Sequence, residues 1–177
     1  MEMFLRKDVF MNINLIRYSI LSFTFLLLVS FASGKELKSD ELNYSIAVPD
    51  GWTVTFQNAA GCSIASADGK QTMTLLIRNS DSATLDSTTT AEIEQSLIKA
   101  GAKKVSSKNF TIGGVPAYEL VYSIGKSPFA STTVTHLMIA NSKLYNLSGM
   151  HIGGNVLQDA ELCKGLASFH FLQPPKP

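Results

Sequence analysis

The sequence predicts an α+β fold in which helices pack on an antiparallel β-sheet. Short stretches of alternating apolar and polar residues recur along the chain, and turn sequences such as Pro-Asp-Gly at 49–51 and Asp-Gly at 68–69 close two of them. Two stretches with helical spacing of apolar residues interrupt this pattern. Hydrophobic residues make up 45% of the 177 residues, which is enough to build a core.

Alternation and turn chemistry predict eight strands. The last four follow one another through short connections, Gly-Gly at 113–114 among them, and this favours an antiparallel meander. The predicted strands cover residues 44–48, 52–56, 62–67, 72–78, 104–112, 117–124, 132–140 and 144–150.

Two helices are predicted from apolar spacing and capping residues. Thr89 and Glu92 have the spacing of a capping box, and Gly101 stands where a helix would end. The second helix is predicted over residues 155–167, with Asn155 as its N-cap and Cys163 on its apolar stripe.

Residues 1–34 have the pattern of a secretory signal peptide. Arg17 precedes an uncharged apolar stretch at 20–31, and small residues follow at 32–34. Met11 is an alternative translation start. An uncleaved anchor is the other interpretation, but residues 18–32 are shorter than the roughly 20 residues that a spanning helix needs. We therefore expect a periplasmic or secreted protein that meets the membrane only through this segment, if it stays uncleaved.

The portion that remains after residue 34 is formally neutral. Cleavage removes three basic and two acidic residues from totals of 15 and 14, leaving 12 of each. Because no basic block is present, nucleic acid is not an expected partner. Residues 35–41 are predicted to be a flexible leader, residues 42–172 the folded domain, and residues 173–177 a proline-rich tail.

Four stretches along the chain stand out: YSIAVPDGW at 44–52, IGGVPAYEL at 112–120, KLYNLS at 143–148 and SFHF at 168–171. In this order they resemble PsbP-like and DcrB-like exported proteins of the Mog/PsbP-type superfamily. The resemblance implies an α/β/α sandwich around an antiparallel sheet. It also implies a binding or assembly module, but no particular chemistry, because a shared fold does not transfer function.

Cys62 and Cys163 are the only cysteines, and both lie in the portion predicted to be exported. An oxidising compartment favours a disulfide between them. The bridge would close a loop of about 100 residues, worth on the order of 4–5 kcal/mol in the chain-entropy model. Because Cys163 falls on an apolar stripe, two buried or unpaired thiols are the alternative. The sequence leaves both open.

No residue pattern predicts a catalytic, cofactor or metal site. His136, His151 and His170 lack the short spacing of metal ligands, so we expect solvated or core-edge histidines. Serine is abundant, but no G-x-S-x-G motif is present. The glycine doublets at 113–114 and 153–154 are not followed by Lys-Ser/Thr and are interpreted as turns.

Phe129 is the leading candidate for a partner contact, because residues 125–131 connect two predicted strands and loops often carry function. The other aromatic residues considered are predicted to fill the core: Trp52, Phe56, Phe110, Phe169 and Phe171.

Together these features predict an exported, non-enzymatic binding or assembly-accessory module with a protein partner in the cell envelope. The alternative function is a small-molecule or lipid carrier with a cleft between sheet and helix.

Overall fold

The computed structural model describes residues 35–126 and 130–174. Within these residues the chain forms nine strands, two α-helices and one 3-10 turn. In chain order they are β1 (Glu36–Ser39), β2 (Tyr44–Ala47), β3 (Thr53–Asn58), β4 (Gly61–Ala65), β5 (Gln71–Asn79), α1 (Ser87–Lys99), β6 (Lys103–Ile112), β7 (Val115–Ile124), β8 (Ser131–Ala140), β9 (Lys143–Ile152), the 3-10 turn (Val156–Gln158) and α2 (Ala160–Ala167).

The strands form a two-stranded and a seven-stranded sheet. β1 pairs with β2, and the larger sheet has the order β3-β4-β5-β9-β8-β7-β6 with every neighbouring pair antiparallel. The predicted α+β class and the predicted meander, β6 to β9, are confirmed. The turn between β6 and β7 needs glycine, since Gly113 and Gly114 both have positive φ angles, 57° and 82°.

One face of the larger sheet, here called the closed face, is covered by α2 and by the β1–β2 hairpin. Leu162 and Leu166 of α2 pack over Gly149 of β9, where a Cβ atom would lie only 2.8 Å from Leu166 Cδ1. Gly165 is equally close to the sheet, because its Cβ would lie 2.9 Å from Met73 Sδ. The two glycines therefore allow α2 to approach the sheet closely, and the core lies between these layers.

The opposite face, here called the open face, is covered only in part. α1 lies over its β6–β7 side, where it meets Leu120 and Tyr122. Neither helix packs on the described open-face side chains of β3, β4 and β5, and Leu76 of β5 is 48% exposed. The described part of the chain thus has a helix on each face of the sheet, as the predicted sandwich requires. On the open face, however, the half formed by β3, β4 and β5 is not covered by a helix.

Both edge strands of the larger sheet are interrupted by a β-bulge. The register shifts between Val54 and Phe56 in β3 and between Lys104 and Ser106 in β6. A bulge twists an edge and breaks its ladder of free backbone groups, which opposes pairing with a further strand.

The bulge in β3 also overturns one core prediction. Thr55 is the extra residue, so Val54 faces the core whereas Phe56 is turned to the open face, where it is 37% exposed. Trp52 and Phe169 are buried as predicted. Phe110 and Phe171 are partly buried against the core.

The predicted flexible leader is wrong in part, because Glu36–Ser39 form β1. β1 is held by the register of Glu36 opposite Ala47 and by the Ser45 hydroxyl, which donates to the Glu36 carboxylate. At the other end, Gln173 N donates to Asn43 Oδ1 at 2.8 Å. The predicted signal segment, residues 1–34, and residues 175–177 of the predicted tail lie outside the described residues.

Both helix starts differ from the prediction. α1 begins two residues before the predicted cap, because Asp86 Oδ1 accepts a hydrogen bond from Thr89 N at 2.7 Å. The predicted second helix is divided, since Asn155 caps the 3-10 turn and Asp159 caps α2. In both places a side chain with strong N-cap preference satisfies the free backbone donors.

Candidate functional site

The region around α1 is the best candidate for a functional surface, because polar contacts with the sheet accompany the packing of Leu97 near Leu120. α1 has no fully buried residue. Lys104 Nζ of β6 lies 2.7 Å from Glu94 Oε1 and 2.8 Å from Glu94 Oε2, and the Tyr118 hydroxyl of β7 also donates to Glu94. The hydrogen bonds from Lys104 and Tyr118 lower the pKa of Glu94. The helix is therefore anchored at its middle by one ionised side chain.

Little space lies beneath the C-terminal half of α1. The gap lined by Leu97, Ile98, Leu120 and Tyr122 has a volume of about 10 Å³. A volume of this size holds about one water molecule. An apolar ligand therefore has no cavity between this half of α1 and the sheet.

A larger cleft opens at the N-terminal end of α1. It has a volume of about 310 Å³ and lies between the helix start and the β6–β7 hairpin. Polar residues supply much of its lining, including Asp86, Ser87, Thr90, Asn109 and Tyr118. Such a cleft suits a polar group or a partner side chain better than a lipid chain.

Two large apolar side chains are exposed where α1 meets β6. Ile98 is 49% exposed and Val105, the extra residue of the β6 bulge, is 57% exposed. Lys99 ends the helix, and Lys103 and Lys104 begin the strand. We call Ile98, Val105 and these three lysines the α1–β6 surface.

Of the two alternatives left open by the sequence, the bridge between Cys62 and Cys163 is absent, since both cysteines are free and lie beyond disulfide distance. Cys62 is buried in β4. α2 turns Leu162 and Leu166 to the sheet, while Cys163 Sγ donates to the Val156 carbonyl oxygen at 3.3 Å. The unpaired-thiol alternative therefore describes this structure. Burial raises the pKa of both thiols, which opposes formation of the reactive thiolate.

Phe129, the predicted partner contact, lies outside the described residues. The three histidines lie apart, each beside a carboxylate: His136 near Glu119, His151 near Asp159, and His170 near Glu36. No cluster of three or more metal-ligating side chains occurs within residues 35–126 and 130–174.

Sequence reasoning missed a cluster of titratable side chains on the closed face of β6, β7 and β8, in which Glu119 and His136 are largely buried and Lys108 is exposed. His136 Nε2 lies 3.1 Å from Glu119 Oε2, and Lys108 Nζ lies 3.1 Å from Glu119 Oε1. Burial lowers the pKa of His136, and the nearby Glu119 only partly opposes this effect. These residues are direct cross-strand partners, so knowledge of the strand register would have revealed the cluster.

Asp159 joins the start of α2 to the sheet by hydrogen bonds. Asp159 Oδ1 accepts from Leu162 N at 3.0 Å, and Asp159 Oδ2 accepts from Gln71 Nε2 at 2.7 Å. His151 Nδ1 lies 3.0 Å from Asp159 Oδ2 but outside hydrogen-bond geometry. These contacts of the Asp159 carboxylate join α2 to the sheet, which indicates a structural role.

Several solved structures share this arrangement of helices and strands, whereas no family model and no curated protein matches the sequence. Cyanobacterial PsbP (CyanoP) from Synechocystis sp. PCC 6803 matches with a TM-score of 0.57 and 14% identity, covering 84% of this chain and 98% of that one. The chain has a PsbP/Mog1-like fold. The predicted fold resemblance is thereby confirmed.

Two further structures with the PsbP/Mog1-like fold match over similar lengths. LpqN of Mycobacterium tuberculosis, described as involved in cell envelope biogenesis, has a TM-score of 0.55 at 15% identity and covers 78% of this chain and 90% of that one. The Ran-binding protein Mog1p of Saccharomyces cerevisiae has a TM-score of 0.55 at 9% identity and covers 81% and 97%. At such identities the likeness shows the fold alone.

No helix within the described residues of this PsbP/Mog1-like fold is both long enough and apolar enough to cross a membrane.

Proposed function

We propose that the chain is an exported, non-enzymatic binding or assembly-accessory module that recognises a protein partner through the α1–β6 surface. The observation that carries the proposal is the exposure of Ile98 and Val105 on two elements that contact each other, α1 and β6, which also carry three lysines. Export is proposed from the pattern of residues 1–34, with a periplasmic or secreted destination.

A partner would dock on the side chains of the α1–β6 surface and not extend the sheet. The bulge in β6 interrupts the backbone groups that an added strand would need. Burying the exposed parts of Ile98 and Val105 would contribute on the order of 1 kcal/mol each. Lysines at the rim would mainly affect the association rate and the choice of partner.

The named functions of similar folds support a role in binding. Mog1p is named for binding Ran, and LpqN for its involvement in envelope biogenesis. A neutral exported domain with an exposed apolar pair fits the same general role. The partner itself is not implied by these names.

The lipid-carrier alternative has little structural support. The space beneath the C-terminal half of α1 holds about one water molecule, and the cleft of about 310 Å³ has many polar residues in its lining. A lipid chain would need an enclosed apolar cavity of several hundred Å³.

Site-specific photo-crosslinking tests the proposed surface. A photoreactive residue is placed at Ile98 or at Val105, and the protein is irradiated in an envelope fraction of its source cells. Leu157 is the matched control, since it is 49% exposed like Ile98 but lies in the 3-10 turn on the closed face. We expect the same discrete adduct from Ile98 and Val105 and none from Leu157. Equal adducts at all three positions, or none, would contradict the proposal.

Export has a separate test in the mass of the protein recovered from the cell exterior or periplasm. Cleavage after Ala32 or Gly34 predicts a chain that lacks the first 32 or 34 residues. An intact amino terminus on protein that remains in the cytoplasm would overturn this part of the proposal.

A further inference from the structure

The uncovered half of the open face has an unusual composition for a surface in contact with water. It is formed by the open-face side chains of β3, β4, β5 and β9. Among the described side chains there, Arg78 is the only charged one. Leu76 and Phe56 are exposed by 48% and 37%. A solvated sheet face normally carries charged residues, so the lack of charge here needs an explanation.

Hydroxyl groups follow the aromatic ring in one row across the strands. The register places Phe56 of β3 opposite Ser63 of β4, Ser63 opposite Thr74 of β5, and Thr74 opposite Ser148 of β9. At about 4.8 Å between neighbouring strands, these four positions span about 14 Å. The three hydroxyl-bearing residues are partly exposed, so a ligand can reach them.

These hydroxyl groups keep hydrogen-bonding capacity for a ligand. Ser63 Oγ and Thr74 Oγ1 lie 3.0 Å apart and share one hydrogen bond, which leaves one of the two O–H donors and several acceptor lone pairs. Ser148 Oγ donates its only hydrogen to Asn146 Oδ1 at 2.8 Å and accepts from Thr135 Oγ1 at 3.0 Å, so it can only accept from a ligand. The Asn146 amide hydrogens have no described acceptor in the fold and remain available as donors. The row is therefore both a donor and an acceptor.

The chemistry of the row restricts what could bind there. A strongly charged partner would find only Arg78 to pair with, and that residue lies at the end of β5. A purely apolar partner would remove water from the hydroxyl groups without replacing their hydrogen bonds. A fitting ligand is uncharged, carries many hydroxyl groups and has flat apolar patches. Sugar rings combine these properties, since their C–H faces can stack on an aromatic ring.

We propose that the uncovered half of the open face binds a neutral glycan strand. Phe56 and Leu76 contact the apolar faces of sugar rings, while Ser63, Thr74 and Ser148 exchange hydrogen bonds with sugar hydroxyl groups. The site lies toward the β3 edge of the sheet, whereas the α1–β6 surface lies at the β6 edge. Glycan binding is therefore independent of the proposed protein partner.

Binding to neutral polysaccharides tests the proposal with the full chain. Retention on insoluble chitin and on cellulose is measured, and chitohexaose and cellohexaose are titrated by calorimetry. Phe56→Ala removes the ring and Thr74→Lys places a charge in the middle of the row. Val105→Ala and Thr111→Lys are the matched controls on β6, and circular dichroism confirms that all four variants fold.

We expect the unaltered chain to bind at least one of the two polymers and its soluble oligosaccharide. Phe56→Ala and Thr74→Lys should each weaken binding by about tenfold or more, while the β6 variants should leave it unchanged. Failure to bind any of these glycans would overturn the proposal, as would equal losses in the β6 variants. Concentration-dependent dimerisation that Thr74→Lys abolishes would also overturn it, because a second copy of the chain would then occupy the face.

Discussion

The two helices are held to the sheet in opposite ways. α2 has eight residues and buries Leu162, Gly165 and Leu166, whereas α1 has thirteen residues and no fully buried one. The sheet differs beneath them as well: α2 lies over Gly149, which leaves room for leucine side chains, whereas α1 lies over Leu120 and over the polar ends of Tyr118 and Lys104. Close packing thus dominates on the closed face, and polar contacts contribute more on the open face.

The comparison teaches that helix length is a poor guide to what a helix does for a fold. The short helix closes the core, and the long one presents most of its side chains to solvent. Tertiary packing of an apolar face, more than helix propensity, stabilises helices in proteins. We therefore expect substitutions in α2 to act on stability and substitutions on the exposed side of α1 to act on binding.

The largest expected effect is the loss of a core leucine from α2. Leu162→Ala leaves a cavity against the closed face and should lower the free energy of unfolding by about 2–5 kcal/mol. Ile98→Ala on α1 is the matched substitution at an exposed position, and its effect should stay within about 0.5 kcal/mol of zero. Urea denaturation of both variants measures the difference. Similar losses in the two would show that the helices are held alike.

Removing the N-cap of α2 should also destabilise the protein more than removing the N-cap of α1. Asp159→Ala removes the cap of α2 together with the contacts to Gln71 and His151, and should cost about 1–2 kcal/mol. Asp86→Ala removes only the exposed cap of α1, so its cost should be smaller. The midpoints of urea unfolding rank the two variants by stability, provided that the dependence of the unfolding free energy on urea concentration is the same in both. The reverse ranking would contradict the structural role of Asp159.

The pH dependence of stability should reveal the buried histidine of the closed face. Because burial lowers the pKa of His136 in the folded state, the unfolded chain takes up a proton first as the pH falls below about 6.5. Proton uptake by His136 in the unfolded chain thus favours unfolding, and the folded state becomes less stable as the pH falls. The urea midpoint should be lower near pH 5.5 than near pH 7.5.

Two variants assign this pH effect to its residue. His136→Gln should flatten the dependence, whereas His170→Gln, at an exposed histidine, should retain it. Carboxylates with lowered pKa, such as Glu94, lose their contribution only below about pH 4.5, so they do not contribute in this range. If the urea midpoint of His136→Gln changes with pH as much as that of the unaltered chain, the assignment to His136 is wrong.

The smallest expected effect belongs to the ion pair of α1. Glu94→Gln removes its charge but keeps an acceptor for the Tyr118 hydroxyl, and should cost about 0.5 kcal/mol because Lys104 is partly exposed. High salt should shrink this difference, since it screens the pair. Glu92→Gln on the same helix serves as the control. A cost that persists unchanged in 1 M salt, about the level where screening is nearly complete, would argue against an electrostatic anchor.

The fold was predictable because local signals agree with one another. Turn glycines and alternation in β6 to β9 indicate the same architecture, whereas the predicted apolar stripe with Cys163 is not the face that α2 buries. β1 was not predictable in this way, since the charged stretch at 35–41 becomes a strand only by pairing with β2. Phe56 was misplaced because one extra residue in β3 reverses the side of the sheet that it faces.

The candidate sites depended on information that a single sequence does not contain. Glu119 and His136 meet through strand register, and Glu94 meets Lys104 and Tyr118 only after α1 has packed on the sheet. The two cysteines were compatible with a bridge or with free thiols, and the orientation of α2 decides between them. The signal segment and Phe129 stay predictions.

Both ends of the described fold lie along the β1–β2 hairpin. Ser45 forms a β-bridge with His170, and Asn43 exchanges hydrogen bonds with Gln173. Both strands of the small hairpin belong to the layer that carries α2, on the far side of the sheet from Phe56 and Thr74. A tether, tag or fused domain joined at either end of the described residues would therefore leave from the closed-face side of the molecule. Immobilisation through an end should thus keep the hydroxyl-lined face accessible to a polymer in solution.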